Sequence, residues 1–371
     1  RRQRQMCIRD RVKWGGVRKL VMFVGGGYDA GYESDSYSQT NKTGAGVYMF
    51  DAENGDLLWW ASDNATASSA ATTTSGLVAT KDSNLKYSVV SQIKAIDRDA
   101  DGLVDHLYFG DLGGQVFRID LNNNSNTIGG FAKRVVRLLN LNNGQYSPRF
   151  YEEPAFSIYD YERTPFAVIT LGSGNRSKPL AEYTVGSLYD YDAIYNIYDK
   201  DVARRDLYTD ITLTTEAKNT TAANPLAEVT DTNRFSNKIL VAPYSSNGWF
   251  YRFKSNKQQS EKIMSVPLVI NNDLFVSTFD ASKSGLAGDC GAGVKGESFV
   301  NLFCMPYGQC ASGTATTSRL SLGAGITAAS IGAADTAGST RLIVANVDTT
   351  NIQDNLIKDK RYGTKLSLIP Q

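Results

Sequence analysis

KAIDRDADGLVDHLYFGDLGGQVFRIDL, residues 94–121, is the stretch on which the fold turns. A short apolar entry leads into a run of acids and glycine. The chain then resumes as HLYFG (106–110), turns at Asp111–Gly114 and runs out as QVFRIDL (115–121). Both later runs carry aromatic and β-branched residues and are bounded by glycine and aspartate. That pattern predicts two antiparallel strands joined by a tight turn.

The same grammar recurs on either side. VRKLVMFVGGG (17–27) reads as a buried strand closed by glycines, and GVYMFDAENGDLLWWAS (46–62) as a hairpin turning at Glu53–Gly55. PFAVITLGSG (165–174), NGWFYRF (247–253), VPLVINNDLFVSTFD (266–280) and RLIVANVD (341–348) supply further strands. The sequence therefore predicts an all-β protein whose recurring strands read as blades of a β-propeller carrying loop insertions. A pair of β-sandwiches is the structural alternative. Insertions are expected near 61–75, 183–233 and 281–320, within a single domain over 12–371.

The first eleven residues, RRQRQMCIRDR, differ from the rest: five arginines, one acid and little that can pack. They read as a foreign or mistranslated prefix, with the true N-terminus missing. The formal charge is 39 − 38 = +1, and 34 − 37 = −3 without them. Neither balance offers the clustered basic face that nucleic acid requires, so no nucleic-acid partner is expected. No apolar run approaches the roughly 20 residues of a membrane-spanning helix. Cys290, Cys304 and Cys310 lie in one glycine-rich stretch with no histidine nearby. This predicts one disulfide and one leftover thiol, in an oxidising compartment, rather than zinc.

The chemistry concentrates in DRDADGLVD, residues 97–105. Asp97, Asp99 and Asp101 alternate, which lets a tight loop turn carboxylates inward. Gly102 stands sixth, where a sharp turn is needed. Leu103 offers its backbone carbonyl at the seventh position, and Asp105 stands ninth. Hard cations take several oxygen ligands at once, and crowded carboxylates repel unless a cation neutralises them. The predicted metal ligands are Asp97, Asp99, Asp101, Leu103 and Asp105, and the predicted cofactor is Ca2+. Tyr108 occupies the twelfth position, where an EF-hand has glutamate, and the flanks read as strands. The site is thus an EF-hand-like loop in a β context, with affinity expected on the order of micromolar or weaker.

Little else suggests chemistry. His106, the single histidine, reads as an exposed strand residue, so a hydrolytic triad has at most one candidate base. Gly25–Gly27 and LGSGNR (171–176) lack the features of phosphate loops and read as turns or close backbone approaches. Trp59 and Trp60 face opposite sides of a strand, one of them into the core. Tyr183, Tyr189, Tyr191, Tyr195 and Tyr198 read as sheet packing, with an adhesive surface as the alternative. No catalytic residues are predicted, and the chain reads as a binding module and not an enzyme.

MFVGGGYD (22–29), VYMFDAENGDLLWW (47–60), residues 94–121, TLGSGNRSKPL (170–180) and VPLVINNDLFVSTFD (266–280) together resemble the C-terminal domain of the PilY/PilC family of type IV pilus proteins. The acidic loop followed by GDLGGQVFRID is the most specific piece. The resemblance implies a modified β-propeller outside a bacterial cell, at the pilus tip, fimbrium or outer-membrane surface. It implies calcium binding tied to the balance of pilus extension and retraction, and roles in pilus assembly, adhesion and twitching motility. Implied partners are minor pilins or other tip components, and a host or surface receptor. Two alternatives stand beside it. One is a quinoprotein-like propeller dehydrogenase, since FDAENGDLLWW resembles the strand motif of those enzymes. The other is a non-catalytic outer-membrane scaffold propeller.

Overall fold

The computed structural model describes residues 10–66, 76–209, 211–213, 217–218, 226–236, 241, 243, 245–285, 294–310, 318–334, 339–343 and 361–363. Among these residues the regular structure is strand, with only short 3-10 turns beside it. Contacts within the chain group it into two compact units.

The first unit takes in the chain to Leu171 and residues 197–225. Its first sheet runs in the order β1 (Asp10–Trp14), β2 (Val17–Gly25), β3 (Val47–Asp51), β4 (Leu57–Ser62) and β5 (Val78–Lys81). β1 to β4 are antiparallel and β5 joins β4 in parallel. Its second sheet is built from β6 (Lys94–Ile96), β7 (His106–Gly110), β8 (Gln115–Leu121) and β9 (Ala132–Asn140), all antiparallel. The hairpin of β10 (Ala155–Tyr161) and β11 (Thr164–Gly172) follows, then the end of β12 (Ala193–Asp199), and β13 (Ala217–Lys218) adds to β9 in parallel. Antiparallel sheets of four or five strands are the building blocks of propeller blades.

Alternation explains why these runs are strands. In β3 and β4, Val47, Met49, Trp59 and Ala61 are fully buried, while Tyr48 and Trp60 stack on the other face with ring centroids 5.6 Å apart. Trp59 is the core tryptophan of the pair, and its indole N–H donates to Thr80 Oγ1 at 2.9 Å. Trp14 and Trp59 both pack edge-on against Phe131, at 5.0 and 5.7 Å between ring centroids. Leu107, Phe109, Phe117 and Ile119 extend the same core. Close approach explains the glycines: a Cβ at Gly25 would lie 2.3 Å from the carbonyl oxygen of Val89.

The second unit holds residues 172–196 and the chain from Leu226 onward. β14 (Ala227–Glu228) and β15 (Gly248–Arg252) pair in parallel. A further sheet runs β16 (Glu261–Ile263), β18 (Asp273–Asp280), β19 (Glu297–Cys304) and β20 (Arg319–Ala324), with β17 (Leu268–Ile270) hairpinned onto β18. β21 (Ser330–Ala334), β22 (Ser339–Ile343) and β23 (Arg361–Gly363) form a three-stranded sheet. Asn271, in the expected β17–β18 turn, takes φ 54°, the left-handed conformation that asparagine tolerates. Cys304 and Cys310 form a disulfide, and Cys290 lies outside the described residues.

Several boundaries differ from the sequence expectation. Asp10 and Arg11, set aside as the end of a prefix, begin β1, and Val12 and Trp14 beside them are core residues. The arginines hid an inward-facing alternation. Residues 1–9 lie outside the described set. Ala61 and Ser62, placed in an insertion, are buried at the end of β4. Within 183–233, all seven residues of β12 are buried, Tyr195 and Tyr198 included, so these two tyrosines are packing and not adhesive surface. The stretch 281–320 contains all of β19 and the disulfide.

The turn between β7 and β8 is organised by one buried acid. Asp111 Oδ1 accepts from the amides of Gly113 and Gln115, both at 2.9 Å, and Oδ2 accepts from the Gln115 side chain at 3.1 Å. Burial pushes its carboxyl up to about 7, against the pull of those donors. An acid whose folded pKa is raised stabilises the fold below its unfolded pKa of about 4 and loses that contribution as pH climbs through about 7. Urea unfolding between pH 4 and 8 should show a falling component of a few kcal/mol, diminished in Asp111→Asn.

Candidate metal centre

The acidic stretch connects β6 to β7 as a hairpin loop in which Ile96 pairs with His106. Its two ends are pinned. The Asp105 amide donates to the Ile96 carbonyl at 2.8 Å, and the Val104 amide donates to the Arg11 carbonyl at 2.8 Å. Asn123, which follows β8, donates through Nδ2 to the Val104 carbonyl at 2.9 Å and to Asp105 Oδ1 at 3.3 Å. Its Oδ1 accepts from the Lys13 amide at 2.9 Å. Asn123 thus ties the loop to β1 and orients Asp105. Sequence reasoning missed it, because an asparagine between strands reads as an ordinary turn residue.

Inside the loop, each aspartate takes an amide. Asp97 Oδ2 accepts from Gly102 at 2.8 Å, Asp99 Oδ1 from Asp101 at 3.3 Å, and Asp101 Oδ1 from Leu103 at 2.8 Å. Asp105 Oδ2 accepts from Arg98 at 2.8 Å. The curl depends on two left-handed residues, Gly102 at φ 83° and Ala100 at φ 62°. Glycine adopts that conformation freely, whereas alanine is held there at a cost of roughly 1–2 kcal/mol.

The result brings Asp97, Asp99 and Asp105 together, one carboxylate oxygen of each lying within 4.8 Å of the others. Asp97 and Asp99 are exposed and Asp105 is buried. Asp101 stands outside this trio, its Oδ1 engaged by the Leu103 amide. The Leu103 side chain is buried. Among the described residues no lysine or arginine forms an ion pair with these acids. Burial and the neighbouring charge of Asp99 raise the Asp105 carboxyl above its ordinary range, against the hydrogen bond from Arg98. Three converging hard oxygen donors without a cationic side chain suit a hard divalent cation and poorly suit a soft one. The twelfth position contributes nothing: Tyr108 is fully buried on β7 and its hydroxyl donates to Asp199 at 3.0 Å.

Behind the loop lies a buried charged cluster that the sequence did not reveal. His106, expected at the surface, is fully buried, and its Nδ1 lies 2.8 Å from Asp120 Oδ1. Register explains this, since His106 pairs with Asp120 across β7 and β8. Arg118 is fully buried too. It donates to Asp120 at 2.7 Å through Nε and to both oxygens of Asp199 at 2.5 and 2.6 Å through Nη1. Burial works to raise the Asp120 carboxyl, but the hydrogen bond from His106 and the charge of Arg118 outweigh it and hold it low.

Other candidates make contacts within the chain. Gly172 and Gly174 approach Ile263 so closely that a Cβ would meet it at 2.4 and 2.8 Å, which accounts for LGSG without a phosphate. Tyr183 and Tyr189 stack on each other with centroids 3.8 Å apart.

The blade-like sheets define an all-β protein of modified β-propeller type. The C-terminal domain of PilY1 from Pseudomonas aeruginosa is similar to this chain in fold, with a TM-score of 0.55 and 14% sequence identity, covering 90% of this chain and 70% of that one. The hydrazine synthase of Kuenenia stuttgartiensis aligns with a TM-score of 0.30 and 9% identity, covering 82% of this chain and 69% of that one. No family model and no curated protein matches the chain. The sequence resemblance to the PilY/PilC C-terminal domain is therefore met at the level of fold. No described helix is long and apolar enough to cross a membrane.

Asp120 is shared by His106, Arg118 and Arg134. Asp120→Ala would leave the Arg118 guanidinium buried with only Asp199, and is expected to cost about 3–5 kcal/mol. Chemical denaturation against the parent protein checks this, and a loss below about 1 kcal/mol would show that the cluster is not a structural anchor.

Proposed function

We propose that this chain is a calcium-binding, non-catalytic module of a type IV pilus biogenesis or tip protein, working outside the cytoplasm. The observation that carries the reading is the convergence of Asp97, Asp99 and Asp105 in a loop without a cationic partner among the described residues. Asp97, Asp99 and Asp105 would hold the ion, with Asp101 and the Leu103 carbonyl completing the oxygen set. The ion's contribution is charge: it neutralises repelling carboxylates and so fixes the loop. Asn123 and the Arg98 amide keep Asp105 aimed. The likeness in fold to the PilY1 C-terminal domain supports the pilus setting. With it come the proposed partners, minor pilins and a surface receptor, and the proposed roles in extension–retraction balance, adhesion and twitching motility. The Cys304–Cys310 disulfide suits an oxidising compartment.

Calorimetric titration with calcium should give a dissociation constant on the order of micromolar or weaker, and Asp97→Ala or Asp105→Ala should weaken it at least about tenfold. A parent protein that binds no calcium would remove the reading. A quinone absorbance band, or dye reduction with an alcohol or sugar, would instead favour the dehydrogenase. The pilus role is tested in cells: strains carrying the Asp97→Ala protein, or lacking the gene, should lose pilus-dependent surface motility, and unchanged motility in the deletion strain would refute it.

A further inference from the structure

The segment from Asp199 to Thr209 is fastened at its ends by groups that do not belong to the acidic loop. Asp199 is held by Arg118 and Tyr108, and accepts from the amides of Asp201 and Val202 at 3.2 Å. Arg134 donates to the carbonyls of Leu207 and Thr209. Its middle is fastened by the loop itself. Arg98 stands between two of the converging acids, Asp97 and Asp99, and its amide is bound by Asp105. Its guanidinium turns away from them and donates to the carbonyls of Val202 at 3.3 Å and Arg204 at 2.9 Å. It also lies over the Tyr208 ring, 5.4 Å from the centroid. Tyr208 in turn stacks on His106, and its hydroxyl donates to the Asp105 carbonyl at 3.4 Å.

Arg98 and Asp105 are therefore shared between two structures. Their backbones shape the loop, while the Arg98 side chain and the Asp105 carbonyl grip the 202–208 segment. Carboxylates this close repel one another without a cation, and the cheapest relief is for the exposed pair, Asp97 and Asp99, to swing apart. Each of these carboxylates also accepts from a loop amide, Gly102 for Asp97 and Asp101 for Asp99, so swinging them apart breaks bonds that hold the curl and loosens the backbone on which Arg98 sits between them. Two carbonyl hydrogen bonds and a cation–π contact are then lost from the middle of the segment, while the anchors at 199–202 and 207–209 remain.

We infer that the 202–208 segment is a latch closed by occupancy of the 97–105 loop, with the Arg98 side chain as the link between them. The inference rests on the calcium reading of the loop. A ligand that favours one of two local states shifts their populations by its differential affinity, so loop and latch must stabilise each other reciprocally.

Hydrogen–deuterium exchange of the whole chain, with calcium or with chelator, tests the link. Calcium should slow exchange of peptides covering 202–208 by about tenfold in the parent protein, and by less than about twofold in Arg98→Ala. Calcium titration of Arg98→Ala should still give heat, because the substitution removes a positive charge and no ligand. Tyr208→Phe, which deletes only the hydroxyl contact, should give an intermediate effect. A parent protein that binds calcium with no change in exchange over 202–208 would overturn the latch and leave the site standing. Equal slowing in the parent and Arg98→Ala would overturn the role of Arg98. Absence of calcium heat in the parent would overturn both the site and the latch.

Discussion

A guanidinium with no access to water, that of Arg118, sets the frame for everything near the acidic loop. Moving such a charge out of water costs several kcal/mol even after relaxation. The cost is offset only because Asp120 and Asp199 meet it from two directions. That requirement fixes more than one side chain. Asp120 also engages His106, so the first residue of β7 is locked to β8, and the loop leaves from a fixed point. Asp199 lies 81 residues further along the chain, and its capture brings the following segment beside the loop. Crowded acids can be held together in Asp97–Asp105 because the ends of their hairpin cannot drift.

The strands most legible in the sequence were those whose inward residues are apolar and whose turns carry glycine or asparagine. HLYFG and QVFRIDL fall at residues 106–110 and 115–121 as read, and LVINNDLFV folds as the hairpin expected of it. DRVKW was lost because alternation over five residues is faint beside a cluster of arginines. His106 was misplaced because polarity at a strand end argues for solvent unless the cross-strand partner is known, and register is a tertiary fact. The spacing of the acidic loop was legible. Which acids converge was not: all four accept a backbone amide, and alternate spacing does not separate Asp101 from the trio of Asp97, Asp99 and Asp105. Asn123 and the Arg98 side chain act on groups distant in sequence, and no local pattern announces them.

Fold and site carry different information. A TM-score of 0.55 at 14% identity shows that this arrangement of sheets is reached by a very different sequence. That is what a scaffold of short strands, tight turns and closely approaching backbones permits. Gly25 against Val89, and Gly172 against Ile263, are places where the scaffold accepts nothing larger than hydrogen. They would be demanded of any sequence with this local packing, whatever its use. The 97–105 loop is different in kind: the strands would pair as well over an ordinary turn, so its acids and its strained alanine are not explained by folding alone.

The bond from the Val104 amide to the Arg11 carbonyl bears on how the protein is trimmed for expression. Arg11 lies at the start of an edge strand, in a stretch whose composition invites removal as vector-derived sequence. Cutting just beyond it would shorten β1 and leave the amide beside Asp105 without its acceptor. A shortened product that failed to take up metal would then be reporting on the cut, and the missing affinity would be misread as a property of the acids.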